Sequence, residues 1–226
     1  MESFSNVSNV SNVINVDQTS VECTPKLISK CCGLTLKTQD VFSRPTEYWK
    51  LQEDEYWRLQ RVEVYSTWLK ESLEKIETNG LLNCKAGTRM VIDMILIEAM
   101  GLAPNVQMKN NVKLEFESDE KIGEKLVTLT ANADYAIGND EHPQFFIVEK
   151  SDPNSITHLL CQMGISFASQ KRQGSQHPMV FGLLATIFEF EFFKIDHNGV
   201  TTKTRRYQVS ESMNTIVKNL GFIIGS

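Results

Sequence analysis

The chain has 226 residues, and its 23 basic and 28 acidic side chains give a net charge of −5. Apolar residues make up 41% and charged residues 23%, the balance of an ordinary globular protein with one sizeable core. General nucleic-acid binders are usually basic, so any such role here must rest on a local patch.

The first 22 residues are a polar arm in which Ser5, Asn6 and Val7 recur as Ser8, Asn9, Val10 and Ser11, Asn12, Val13. Such a tract cannot build a core, and disorder is expected; a β-arm pairing with another chain is the second reading. Residues 23–86 read as an N-terminal helical extension packed on the core. Within it a helix is predicted over residues 46–78, carrying Trp49, Trp57 and Trp68 and stopping at Asn79 and Gly80. Its bland reading is a packing helix; its sharper ones are a nucleobase-stacking surface or a homo-oligomer contact.

Residues 87–226 read as the core domain. A helix capped by Thr88 runs from 89 to 100 and is apolar nearly all round, so it is expected to be buried. Strands are predicted over 112–117, 126–130, 133–138 and 145–149, then a helix over 156–170. Further strands follow over 179–185, 188–195 and 201–209, with a hairpin turn at Asp196 to Gly199, and a closing helix over 211–219. The expected class is α/β (α+β), a central mixed sheet flanked by helices.

The strands over 133–138 and 145–149 carry the chemistry. A symmetric hairpin pairs Gly138 with Phe145, and counting outward sets Asp134 opposite Glu149. Opposed residues stand roughly 4.5–5.5 Å apart on one face. Two carboxylates that close call for a divalent cation between them, or for one of them to be protonated. Both faces of this strand pair are otherwise apolar, so it is expected to lie inside the sheet.

The order of these motifs resembles the PD-(D/E)xK nuclease superfamily, the restriction-endonuclease-like fold, and in particular fungal nuclease-like domains of the Crinkler type. The resemblance covers residues 87–199. It rests on Glu98 in the buried helix, Asp134 in its strand, Glu149 at the end of the next, Gln162 in the following helix, and Gly182 in the strand after that. It implies a Mg²⁺- or Mn²⁺-dependent phosphodiesterase acting on DNA or RNA. Asp134 and Glu149 would be metal ligands, with Glu98 a third, directly or through water. Gln162 would orient substrate or water. The pattern Glu-x-Lys asks for lysine at position 151, which is Ser151; Lys150 is one place early, and side chains alternate along a strand. A bulge at Lys150, or a lysine from elsewhere such as Lys171 or Lys194, would have to fill the role. Without one, the fold would serve as a catalytically inactive binding or interaction module.

Lys171, Arg172, Lys203, Arg205 and Arg206 are the one basic collection, a candidate contact for phosphate backbone or a solvated surface. Cys23, Cys31, Cys32, Cys84 and Cys161 form no Cys-x-x-Cys pair, which argues against structural zinc and for free thiols in a reducing compartment. No apolar run approaches the ~20 residues of a membrane span, and the N-terminus does not read as a secretory signal. An intracellular location, cytoplasmic or nuclear, is expected.

Overall fold

A computed structural model describes residues 13–16, 19–22, 24–36, 65–81, 84–102, 106–122, 124–138 and 143–225. Most of the helix predicted over 46–78, including Trp49 and Trp57, lies outside the described residues, as does Cys23. The end of the polar arm, expected to be disordered, forms a two-stranded antiparallel hairpin, β1 (Val13–Val16) and β2 (Thr19–Glu22).

Helix α1 (Pro25–Cys32) is set by its ends. Thr24 Oγ1 accepts from the Leu27 amide at 3.3 Å, Pro25 opens the first turn, and Gly33 closes it at φ 64°. It buries Ile28, Cys31 and Cys32. Strand β3 (Thr35–Leu36) follows and pairs in parallel with β9 (Val200–Lys203). The segment read as a helical extension therefore also contributes a helix and an edge strand to the core. The reason it was missed is physical: eight helical residues and two strand residues are too short to show a period.

Helix α2 (Thr67–Thr78) is capped by Ser66 and packs on α3 (Lys85–Met100). The strands expected over 112–117, 126–130 and 133–138 are parts of two long ones, β4 (Gln107–Ile122) and β5 (Lys125–Gly138). Strand β6 (Pro143–Glu149) pairs antiparallel with β5. Helix α4 (Ser155–Arg172) then crosses over to β7 (Val180–Ala185), which runs parallel to β6. Strands β8 (Glu189–Ile195) and β9 complete the sheet, whose order is β3-β9-β8-β7-β6-β5-β4, with β10 (Tyr207–Gln208) pairing with β8. The turn before β9 forms as expected: Asp196 Oδ1 accepts from Asn198 N at 3.0 Å and Val200 N at 2.9 Å, and Gly199 takes φ 78°. Helix α5 (Val209–Gly225) closes the chain and takes in Phe222, Ile223 and Ile224.

The class is α+β, a mixed eight-stranded sheet between two helical layers. On one face, α1 and α4 pack over Phe146, Val148, Leu184 and Phe193. On the other, α2, α3 and α5 pack over Tyr135, Ile137, Phe145, Ile147 and Phe192. The β4–β5 hairpin serves both. Val127, Leu129, Ala131 and Ala133 belong to the α4 layer, whereas Tyr135 and Ile137 belong to the α3 layer. On β4 the same exchange separates Leu114 and Phe116 from Met108. The ladder turns over where Asn111, at φ 55°, and Asp134 face each other between the pairs Asn110–Tyr135 and Val112–Ala133. Asparagine is among the few side chains that tolerate that backbone conformation.

Candidate functional site at the ends of β5 and β6

The β5–β6 register decides the acidic hairpin. The pairs are Tyr135–Ile147, Ala136–Phe146 and Ile137–Phe145, and Gly138 pairs with Pro143 across an irregularity. The symmetric count, which set Gly138 opposite Phe145, is one residue out. The β5–β6 ladder ends at the pair Tyr135–Ile147, short of Asp134 and Glu149. A one-residue slip moves a side chain to the other face of a sheet. Glu149 shares the α3 face with Ile147 by alternation along β6, and the symmetric register that would set Asp134 opposite it does not form. Asp134 is exposed at the turnover of the hairpin; Glu149 is half-buried, next to Ala185 of β7.

The other candidates are occupied elsewhere. Glu98 is the anchor of α2: its carboxylate accepts from the backbone amide of Ser66 and from Ser66 Oγ at 2.8 Å. Ser66 Oγ in turn accepts from Leu69 N at 3.2 Å, which caps the helix. Gln162 is buried in α4, where its Nε2 donates to the Asn132 carbonyl at 3.0 Å, and its Oε1 has no partner. Lys150 is exposed beyond the end of β6, and its backbone amide donates to Ala185 O at 2.8 Å. Position 151, where the resemblance asks for lysine, belongs to the turn that starts α4. The amides of Ser151 and Asp152 both donate to Ser155 Oγ at 3.2 Å.

Neither substitute lysine reaches Glu149. Lys194 is buried with its Nζ 5.7 Å from the Phe181 ring centroid, at the far end of β8 from Phe190, which pairs with Glu149's neighbour Ala185. Lys171 stands in the last turn of α4, whose first turn follows β6. The basic collection is largely engaged within the protein. Lys203 Nζ binds Glu191 Oε1 at 2.7 Å in a nearly buried pair, and Arg206 reaches Glu189 at 3.7 Å and Glu191 at 3.8 Å. Arg172 meets Asp119 at 3.5 Å and lies 4.4 Å from the Phe116 ring centroid.

Sequence reading missed the one connected network at this corner. The Tyr135 hydroxyl donates to Asp93 Oδ1 at 2.5 Å and accepts from Arg89 Nε at 3.1 Å. Burial, followed by the bond to Asp93, pushes the Tyr135 phenol up to about 12. It stays protonated at neutral pH and is no base. The available signal was the four-residue spacing of Arg89 and Asp93, which puts both on one face of α3.

Among the described residues, no three His, Cys, Asp or Glu side chains stand close enough to hold a metal ion. The carboxylates expected to take Mg²⁺ are not gathered into one group: Glu98 binds Ser66, and the register that would set Asp134 opposite Glu149 does not form. No helix of the described residues is long and apolar enough to cross a membrane. Comparison with protein-family models and with curated proteins finds no match.

Proposed function

We propose that this chain is a binding or interaction module built on a nuclease-like fold, with the hydrolytic centre lost. The observation that carries the reading is the pairing of Tyr135 with Ile147, one place out of the register that would set Asp134 opposite Glu149. The commitment of Glu98 to Ser66 and of Ser151 to the α4 turn points the same way. The internal pairing of Lys203, Arg206 and Arg172, with a net charge of −5, favours a protein partner over nucleic acid. A homo-oligomer formed through the N-terminal helical segment suits the exposure of Trp68, 49%, on α2 and Ile97, 56%, on α3.

The deciding experiment is calorimetric Mn²⁺ titration of the intact chain, paired with incubation of DNA and RNA oligonucleotides in Mg²⁺ or Mn²⁺. No binding heat and no cleavage are expected. Metal-dependent turnover that disappears in Asp134→Ala would overturn the reading. Light scattering tests the partner: a monomer mass unchanged by Trp68→Ala removes the oligomer.

The second reading is a divalent-metal-dependent phosphodiesterase. It is favoured by the order of a helix, three antiparallel strands, a crossover helix and a parallel strand, in which α3, β4, β5, β6, α4 and β7 follow the pattern of the resemblance. Cleavage lost in both Asp134→Ala and Glu149→Ala is its signature.

A further inference from the structure

Strand β5 runs well past the strand beside it. Its ladder with β6 ends at Tyr135, so among the described residues no strand of the large sheet pairs with residues 125–134 on the side away from β4. An open edge of this kind presents a row of backbone donors and acceptors to any extended chain. Two features occupy it in part. The Asn132 carbonyl accepts from Gln162 Nε2 of α4 at 3.0 Å, while Gln162 Oε1, on the same carboxamide, is buried without a partner. Strand β1 lies alongside β5 yet belongs to a separate two-stranded sheet. We propose that this edge of β5 is a strand-addition site for an extended, uncharged peptide rich in β-branched residues, and that β1 is its weak internal occupant. The inference rests on the binding-module reading and names its partner.

The chemistry of the partner follows from what already lies there. The sequence of β1 is Val13, Ile14, Asn15, Val16, uncharged and mostly β-branched, a composition that favours extended backbone. Strand addition draws its affinity from main-chain bonds. With four residues β1 is shorter than the open stretch, and it shares no ladder with β5 among the described residues. A longer peptide forms that ladder and displaces it. Thr128 and Thr130 turn their backbone groups the same way as Asn132, because alternate residues of a strand do so. Gln162 Oε1 stands at the same edge, since its own amide nitrogen holds the Asn132 carbonyl. A buried acceptor left unpaired costs free energy, and an amide of the incoming strand supplies the missing donor.

The test uses the full chain and a fluorescein-labelled peptide with the sequence of residues 8–16, followed by fluorescence anisotropy. Ile14→Pro in the protein removes a backbone donor from β1 and should uncover the edge. That variant should bind the peptide about tenfold more tightly than the wild type, since apparent affinity scales with the fraction of chains whose edge is open. A peptide carrying the same Ile14→Pro change should bind neither chain. Amide hydrogen exchange at Thr128, Thr130 and Asn132 should slow when the unchanged peptide is present. Equal affinity of the two chains, or of the two peptides, would overturn the proposal, as would exchange on β5 that the peptide leaves unaltered. If Ile14→Pro does not fold, exchange in the wild type at saturating peptide decides: slowing at those three amides supports the proposal and its absence overturns it. A wild-type dimer that Ile14→Pro converts to a monomer in light scattering would overturn it in favour of arm exchange with a second copy. Metal-dependent oligonucleotide cleavage by the wild type would sink the binding-module reading instead, so the two failures are distinguishable.

Discussion

Tyr135 stands directly opposite Ile147 across β5 and β6, one place out of the register that would set Asp134 opposite Glu149. The two acids should therefore act independently. Asp134→Asn combined with Glu149→Gln should change stability by the sum of the single effects, to within about 0.5 kcal/mol. Urea denaturation of the four proteins measures this. Opposed carboxylates would instead be coupled, because neutralising either one relieves the same repulsion; a coupling near 1 kcal/mol or more would contradict the register.

Tyr135 makes a prediction in alkali. Its phenol is raised to about 12 by burial first and by the bond to Asp93 second, with Arg89 opposing. An unfolded tyrosine titrates near ~10. A folded value above the unfolded one gives stability that is complete below that point and is lost as the pH climbs toward the folded value. The wild type should thus weaken between about pH 10 and 12, and Tyr135→Phe should lack that loss while costing about 1–3 kcal/mol at pH 7, through the bonds left unmade. Circular dichroism followed alongside tyrosinate absorbance reports both. An unchanged alkaline transition in Tyr135→Phe would contradict the assignment.

Glu98 is a structural anchor. Glu98→Ala should cost about 0.5–2 kcal/mol, the range for a lost helix cap, and should speed hydrogen exchange at the Leu69 amide. Ser66→Ala should do much the same, and the two together should cost less than their sum. A Glu98→Ala chain with unaltered stability would show that the contact with Ser66 contributes nothing.

Gly182 has a packing reason. A Cβ there would collide with Met163 Sδ and lie 2.9 Å from Leu159 Cδ1, both on α4. Gly182→Ala should cost about 1–3 kcal/mol as an overpacked core site. Thermal unfolding reads it, and a change within the error of the melt would count against the close approach of α4 to β7.

How much of this was legible varied with the kind of signal. The apolar run of α3, the length of α4 and the Asx turn at Asp196 announce themselves through local chemistry; α4 and the turn form where expected, whereas α3 starts at Lys85 with Cys84 rather than Thr88 at its cap, and it leaves Met90 and Ile97 exposed. Register does not. It depended on the irregularity between Ile137 and Gly138, which displaces every later pair by one place while leaving the apolar pattern of β6 intact. Because β6 is apolar on both faces, no hydrophobic alternation could choose between the two registers. The strand runs over 126–130 and 133–138 looked separate, since nothing in alternation marks that the ladder turns over at Asp134. Arg89 and Asp93 were passed over because a charged pair at helical spacing reads as a solvated face until a tyrosine from another element closes it.

The left-handed Asn111 has one more consequence. It lets a single hairpin place Leu129 under α4 and Ile137 under α3. Two hydrophobic layers separated by a sheet are in general free to melt on their own; here the same pair of strands is stapled into both. Pulling the hairpin from either layer exposes side chains of the other, so the protein should come apart in one cooperative step. Asn111 is then the joint of the molecule, and a β-branched residue there, unable to hold that backbone angle, would loosen both layers at once.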